Sequence, residues 1–441
     1  MKDTNSIQQS TSFGGIKGGF TKAVRLYGKE DLRLEEFELP EIKEDEILAK
    51  VVSDSICMSS YKAAKQGPDH KRVPDNVHEN PIIIGHEFAG EIVQVGSKWQ
   101  HKFRAGQKYS IQPAIYYEGG PMGILSAPGY SYQHIGGDAT YVIIPKDVLE
   151  QNCLLAYDGP GFYPASLAEP LSCVIGAMHA NYHTKPGSYI HQMEIKEGGK
   201  MAILAGVGPM GLAAINYVVN RKDRKPSLLV ITDIDQSRLN RAAEIFPVKW
   251  AKENGIELIY LNTGNVENPV EKLKEISGGG YDDVFVFAPV APVVEQGDAI
   301  LAHDGCLNFF AGPSNPDFSA KLNFYNVHYL YTHIVGTSGG NNDDMVEALE
   351  IMSEGLDPAG LITHIGGLNA VAETTLNLPN IPGGKKLIYT HKNLPLVAIS
   401  DFEEKGKTDP FYAELAKLVA KTKGLWNVEA EAYLLENAPE I

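Results

Sequence analysis

Between residues 23 and 52 apolar side chains recur at short, alternating intervals. They are Val24 and Leu26, Leu32 and Leu34, then Ile47, Leu48 and Val51, interrupted by Pro40 and the charged turn Lys43-Glu44-Asp45-Glu46. Runs of this period and length predict antiparallel strands of a barrel-like domain. The segment Pro81-Ile82-Ile83-Ile84-Gly85-His86-Glu87-Phe88-Ala89-Gly90-Glu91-Ile92-Val93 continues the pattern, with Gly85 and Gly90 marking bends or close backbone approaches. His86 and Glu87 are therefore expected at a strand bend. Residues 112–137, rich in Gly, Pro and Tyr without clear period, read as a long surface excursion, and strand character returns over 139–145.

From Glu169 the texture changes. Pro170-Leu171 leads into a helical stretch with Val174, Ile175, Ala177 and Met178. Apolar strands at 201–205, 228–232, 258–261, 284–287 and 307–310 then alternate with helices at 209–220, 237–245 and 270–276. This alternation predicts an α/β fold with a mostly parallel sheet covered on both faces, assigned to residues 182–338. The first domain takes residues 1–181. After Gly339-Gly340, a helix at 345–354 and strands at 361–365 and 385–390 return to it, so 339–441 completes that domain and adds a helical C-terminal extension. In the extension Asp409-Pro410 offers a cap and first helical position. Phe411, Leu415, Leu418 and Val419 share a face, Gly424 ends the run, and Trp426 with a short helix at 430–435 is expected beside it. The extension is read as covering the surface of its own chain.

The chain's 441 residues, 43% hydrophobic, allow two sizeable cores. Lys and Arg total 39 against 55 Asp and Glu, a formal charge of −16 that disfavours nucleic acid or an anionic membrane as the main partner. Four cysteines, Cys57, Cys153, Cys173 and Cys306, show no disulfide framework, and the first twenty residues are polar and Gly-rich. With no apolar run of spanning length, the expected location is the cytoplasm.

The glycine run Gly206-Val207-Gly208-Pro209-Met210-Gly211 follows the apolar strand Met201-Ala202-Ile203-Leu204-Ala205 and opens a helix. In that context Gly206 permits a tight turn, Gly208 a close approach to a pyrophosphate and Gly211 close helix–strand packing, while Pro209 and Met210 begin the helix at its partly positive end. Asp233 lies 22 residues beyond Gly211, where an acid accepts from a ribose hydroxyl. That favours NAD(H) over NADP(H), although Arg238 and Arg241 keep the phosphorylated cofactor open.

Upstream, Cys57, His86 and a carboxylate from Glu87 or Glu169 form a donor set that suits one zinc ion with an open position. A basic run of Lys62, His70, Lys71 and Arg72 after Cys57 is a candidate site for a substrate phosphate.

The stretches Val51 through Ser60, Gly85-His86-Glu87-Phe88-Ala89-Gly90, Glu169-Pro170-Leu171-Ser172 and Gly206 through Gly211 together resemble the zinc-dependent medium-chain dehydrogenases, over residues 21–395. Glu169-Pro170-Leu171 and Thr232-Asp233-Ile234-Asp235 are similar to the sorbitol dehydrogenase and sugar-phosphate polyol branch. Leu26-Tyr27-Gly28-Lys29 and Asn308-Phe309-Phe310-Ala311-Gly312-Pro313 look most like members that reduce keto sugar phosphates. The resemblance implies a GroES-like β-barrel catalytic domain, a Rossmann domain, a catalytic zinc, a homodimer or homotetramer, and hydride transfer between NAD(H) and a polyol or keto sugar. It also implies Cys57 and His86 as zinc ligands, Glu87 and Glu169 as two acids of which one ligates, and Ser59 as the proton-relay hydroxyl. The chain departs from the family pattern where many relatives carry an acid at Ser60 and a His at Lys62. It also lacks the clustered cysteines of a second, structural zinc, which is expected to be absent. A zinc-free quinone or enone reductase of the same fold is the nearer rival reading, and a non-catalytic NAD-binding relative the more distant one.

Overall fold

The computed structural model describes residues 19–441; the polar, Gly-rich stretch noted above lies, up to residue 18, outside the described residues. The chain forms two compact units. One comprises the described part of Met1–Ser166 with His364–Pro382 and Lys386–Ile441; the other comprises Leu167–Thr363 and Gly383–Lys385.

The centre of the first unit is the strand Ile47–Ile56. It pairs antiparallel with Phe88–Val95, Tyr141–Ile144 and Lys385–Tyr389. Lys108–Ile111 and Leu154–Ala156 extend the sheet beyond Phe88–Val95. A second antiparallel sheet runs in the order Asp31–Glu38, Phe20–Gly28, Ile82–Ile83. Neighbouring residues of these strands feed different cores. Ala23 and Ile83 join Ile47, Val51, Phe88 and Tyr109 in one cluster, whereas Val24, Ile82 and Ile84 join Ile56, Ala63, Ala64 and Ile388 in another. Burial on both faces explains why Ile82-Ile83-Ile84 is an unbroken apolar run and not an alternating one.

One expectation is corrected here. Residues 116–125 do lie largely at the surface, but 126–131 and 135–140 are buried. This stretch makes few ladder bonds and satisfies its backbone partly within itself and partly against the segment at Ile84 and Gly85. Gly129 N–H donates to Ile135 O at 3.2 Å, Gly137 N–H to Gly85 O at 2.7 Å, and Ala127 N–H to Ser131 Oγ at 3.1 Å. Once those groups are satisfied, irregular backbone can be buried, and it leaves no periodic signature.

The extension packs on the first unit through the helices Pro410–Ala420 and Val428–Asn437. Asp409 caps the first as expected, accepting from Phe411 N at 2.9 Å. Its buried face is Tyr412, Leu415 and Val419, with Phe411 and Leu418 only partly covered. Trp426 is fully buried.

The second unit is an open six-stranded sheet, ordered Glu257–Asn262, Leu228–Asp233, Lys200–Leu204, Tyr281–Val286, Leu301–Phe309, His333–Val335, with every pairing parallel. Strand order reverses beside Lys200–Leu204, the place where doubly wound sheets open a ligand crevice. The unit boundaries fall at 166/167 and 363/364, whereas the sequence pattern places them at 181/182 and 338/339. Helices Ala168–Ala180 and Asn342–Ser353 account for the difference, because they pair with each other inside the second unit, His179 Nδ1 meeting Asp344 Oδ1 at 2.8 Å.

Candidate functional site

Strand register brings the metal-type donors of the first unit together. Asp54 lies opposite Phe88 and Ser53 opposite Ala89, and Ser55 N–H donates to Glu87 O at 3.1 Å. Three residues past Asp54 comes Cys57, and just before Phe88 come His86 and Glu87. One thiol, imidazole and carboxylate atom from these three residues all lie within 4.8 Å of one another. His86 and Glu87 are buried, Cys57 half-buried.

Each of the three donors is held from behind. Cys57 is the N-cap of the helix Met58–Gln66, its carbonyl accepting from Ser60 N at 3.0 Å. A helix N-terminus favours the thiolate that a metal needs. Ser59 Oγ lies 3.6 Å from Cys57 Sγ. Around the His86 ring, Ser60 Oγ is 3.2 Å from Nδ1 and Tyr130 Oη 3.2 Å from Nε2. Glu87 N–H donates to Asp54 Oδ1 at 3.1 Å. Burial, then the facing Asp138 and Glu87 carboxyls, pushes the Asp54 carboxyl well above the usual carboxylate range, and burial carries Asp138 up to about 8. These two aspartates therefore hold at least one proton between them at neutral pH. They also dictate Gly85, which has φ +89°, and a Cβ there would meet Asp138 N at 2.7 Å and both carboxylates at 2.9 Å.

The basic run lies beside this centre in the same unit. His70 stacks on Tyr130 with ring centroids 5.8 Å apart, and the Arg72 guanidinium sits 5.8 Å over the same ring. Burial and then the charges of Arg72, Lys71 and Lys62 depress His70 to about 4.

In the second unit, Gly206 through Gly211 leave the sheet at the C-terminal end of Lys200–Leu204. Gly208 is the N-cap of Pro209–Asn220, with Pro209 and Met210 in its first turn. A Cβ on Gly211 would sit 2.1 Å from Gly206 O, the close approach expected of that glycine. Asp233 ends its strand, Oδ1 accepting from Ile234 N at 2.9 Å and Asp235 N at 3.0 Å. Arg238 reaches back over the turn, Nη2 lying 3.3 Å from where a Gly208 Cβ would be. Arg241 is committed elsewhere, donating to Gly360 O at 3.2 Å. Glu169 also belongs to this unit, in the first turn of Ala168–Ala180, with Cys173 Sγ 3.6 Å from Oε1.

The sequence reading assigns no site role to Asp54, Asp138, Tyr130 or Ala205. Asp54 alone carries a signal, an acid inside the apolar run Val51-Val52-Ser53-Asp54-Ser55-Ile56. Ala205 adopts φ 54° at the start of the glycine turn, a strained conformation of the kind that gathers at functional sites.

Comparison with known proteins gives consistent results. Residues 43–152 match the alcohol dehydrogenase GroES-like domain and residues 229–354 the zinc-binding dehydrogenase domain. The chain is 53% identical to a mannitol-1-phosphate 5-dehydrogenase of Aliivibrio fischeri, covering 94% of this chain and 97% of the relative. It is 51% identical to an L-sorbose 1-phosphate reductase of Klebsiella pneumoniae, covering 96% and 98%. Its fold resembles that of 2R,3R-butanediol dehydrogenase from Bacillus subtilis, with a TM-score of 0.67 and 21% identity over 84% of this chain and 99% of that one.

Proposed function

The chain belongs to the zinc-dependent medium-chain dehydrogenases, in their sorbitol dehydrogenase-like branch, and from that premise we propose that it transfers hydride between NAD(H) and a phosphorylated keto sugar or its polyol. It is an alcohol or polyol dehydrogenase with a GroES-like domain and a Rossmann domain. The observation that carries the reading is the convergence of Cys57, His86 and Glu87 within 4.8 Å. Soft thiolate, borderline imidazole and hard carboxylate are donors that zinc accepts together. A zinc ion held there supplies Lewis acidity toward a substrate oxygen, and the nicotinamide supplies or takes the hydride.

The chain's own residues do the rest. Cys57 binds as thiolate, and Ser60 orients His86. Ser59 passes the hydroxyl proton toward solvent. Lys62, Lys71 and Arg72 take the substrate phosphate, an assignment supported by Arg72 lying over the Tyr130 ring whose hydroxyl meets His86. In the second unit Gly206, Gly208, Pro209, Met210 and Gly211 receive the pyrophosphate. Asp233 accepts from the ribose, disfavouring NADP(H), and Arg238 covers the adenosine side. The substrate is of the L-sorbose 1-phosphate and D-glucitol 6-phosphate type, which the name of the 51% identical L-sorbose 1-phosphate reductase supports, whereas the name of the 53% identical relative points to mannitol 1-phosphate. A homodimer or homotetramer in the cytoplasm, with all four cysteines reduced, accords with this chemistry.

The test is a screen of ketose phosphates, free ketoses and polyols with NADH or NAD, then with the NADP pair, alongside metal analysis. Cys57→Ala and His86→Ala lose zinc and turnover while NADH still binds; full activity in either would reject the assignment. Of the two acids, Glu87→Gln is expected to empty the site and Glu169→Gln to retain zinc.

A further inference from the structure

The strand that runs toward Cys57 is not regular. Val51 lies opposite Gly90 and Ser53 opposite Ala89, so Val52 is an extra residue, a bulge of the kind that re-aims the side chains beyond it. Beyond it come Asp54, whose Oδ1 accepts from Glu87 N, Ser55, whose N–H donates to Glu87 O, and then Cys57. A bulge interrupts the ladder, so its backbone needs other partners. The Val51 carbonyl accepts from Thr390 Oγ1 at 2.7 Å, the Val52 carbonyl from Thr390 N at 3.2 Å and the Ser53 carbonyl from Ser166 Oγ at 3.1 Å. Ser53, Ser166 and Thr390 are all fully buried.

Both braces lead to one side chain. Ser166 ends the short helix Tyr163–Ser166, and at the start of that helix the N–H groups of Phe162 and Tyr163 donate to Glu431 at 2.7 and 2.9 Å. Thr390 follows Tyr389, which pairs with Ser53 and donates from Oη to Glu431 Oε1 at 2.8 Å. The backbone closes tightly on this carboxylate, since a Cβ on Gly161, at φ +71°, would run into Glu431 Oε2. Glu431 belongs to the C-terminal extension, which lies beyond both matched family domains, 43–152 and 229–354. To cover its own chain an extension needs only apolar contacts such as those of Leu415 and Trp426. A buried carboxylate aimed at the supports of a bulge goes further than that.

We infer that the extension is a working part of the first unit's site, with Glu431 as a positioning residue. By holding Ser166 and Thr390 against the bulge at Val52, it sets the course of the strand into Asp54, Ser55 and Cys57.

The experiment compares Glu431→Ala, Glu431→Gln, Ser166→Ala and Leu415→Ala in the full-length protein, below the onset of unfolding. It reads hydrogen exchange over residues 47–57 and ketose phosphate reduction with NADH, and the kinetic arm rests on the activity proposed above. Ser166→Ala removes a brace without touching the extension, whereas Leu415→Ala weakens the packing of the extension and leaves Glu431 with its donors. Glu431→Ala and Ser166→Ala are expected to speed exchange over 47–57 and to lower kcat, each about tenfold, with the ketose phosphate KM and NADH affinity within about twofold of the unaltered protein. Glu431→Gln, which keeps one carbonyl acceptor, falls between. Leu415→Ala speeds exchange over 402–441 but holds kcat and exchange over 47–57 within about twofold. Unchanged kcat and unchanged exchange over 47–57 in both Glu431→Ala and Ser166→Ala overturn the inference, and so does a kcat loss in Leu415→Ala equal to that in Glu431→Ala; either result leaves the extension a cover. If the unaltered protein reduces no ketose phosphate, the proposed function fails, and exchange over 47–57 alone decides the inference.

Discussion

Glu431 is the residue on which attachment of the C-terminal extension turns. Its side chain is 1% exposed, yet it accepts three hydrogen bonds, from Phe162 N at 2.7 Å, Tyr163 N at 2.9 Å and Tyr389 Oη at 2.8 Å. Trp426 Nε1 donates in turn to Tyr389 Oη at 2.8 Å, so Glu431 and Trp426 together tie the second helix of the extension and the turn before it to Tyr389. Burial raises the Glu431 carboxyl above its ordinary range, and the three donors pull against that rise. Glu431→Ala leaves the buried N–H of Tyr163 and the partly buried N–H of Phe162 without this acceptor. At about 1–3 kcal/mol for each stranded donor the loss is about 4 kcal/mol in all. Glu431→Gln recovers only part of it, because both carboxylate oxygens face N–H donors and an amide must turn its NH2 toward one of them. Hydrogen exchange read by mass spectrometry over residues 402–441 is the direct assay. A loss of this size speeds exchange through opening of the extension on the order of a thousandfold in Glu431→Ala, and less in Glu431→Gln. Protection within threefold of the unaltered protein in both variants would refute the reasoning and leave apolar packing around Trp426 as the anchor.

Other expectations follow from the second unit. Gly211→Ala drives a Cβ into Gly206 O, 2.1 Å away, so NADH affinity measured by fluorescence titration falls more than about tenfold while zinc content stays unchanged. His179 is raised to about 10 from 6.5 by its hydrogen bonds to Asp344 and then Glu347. Because the folded value lies above the unfolded one, this stabilisation is complete below pH 6.5 and is lost as pH climbs toward 10. His179→Gln should flatten the fall in Tm across that window, and an unchanged slope would remove His179 from the account. Ala205→Gly relieves a left-handed backbone and is expected to raise stability by about 1 kcal/mol, read as a higher urea midpoint at constant slope.

What could be read from the chain alone is what is local in it. The turn at Gly206 through Gly211 and the helix it opens are contiguous, and each glycine answers a steric demand a few residues away, as Gly211 against Gly206 O shows. Strand and helix periods are likewise local, so the parallel α/β unit was legible element by element. Cys57, His86 and a carboxylate from Glu87 or Glu169 were legible as a donor list; the meeting of Cys57, His86 and Glu87 depends on the antiparallel register that sets Asp54 opposite Phe88. Composition does not specify that register.

Tertiary structure decided what depends on distant partners. Ser60 reads in the chain as a departure from a family pattern, and only packing shows its hydroxyl at His86 Nδ1. Tyr130 sits in a stretch without period, and its burial comes from a core cluster that includes Val24, Leu26 and Ile84, far away along the chain. The Asp54–Asp138 pair explains why Gly85 must be glycine, a reason no pattern along the chain contains. Periodicity records which faces are buried; it does not record what buries them, because that is set by contacts the chain makes only after it closes on itself.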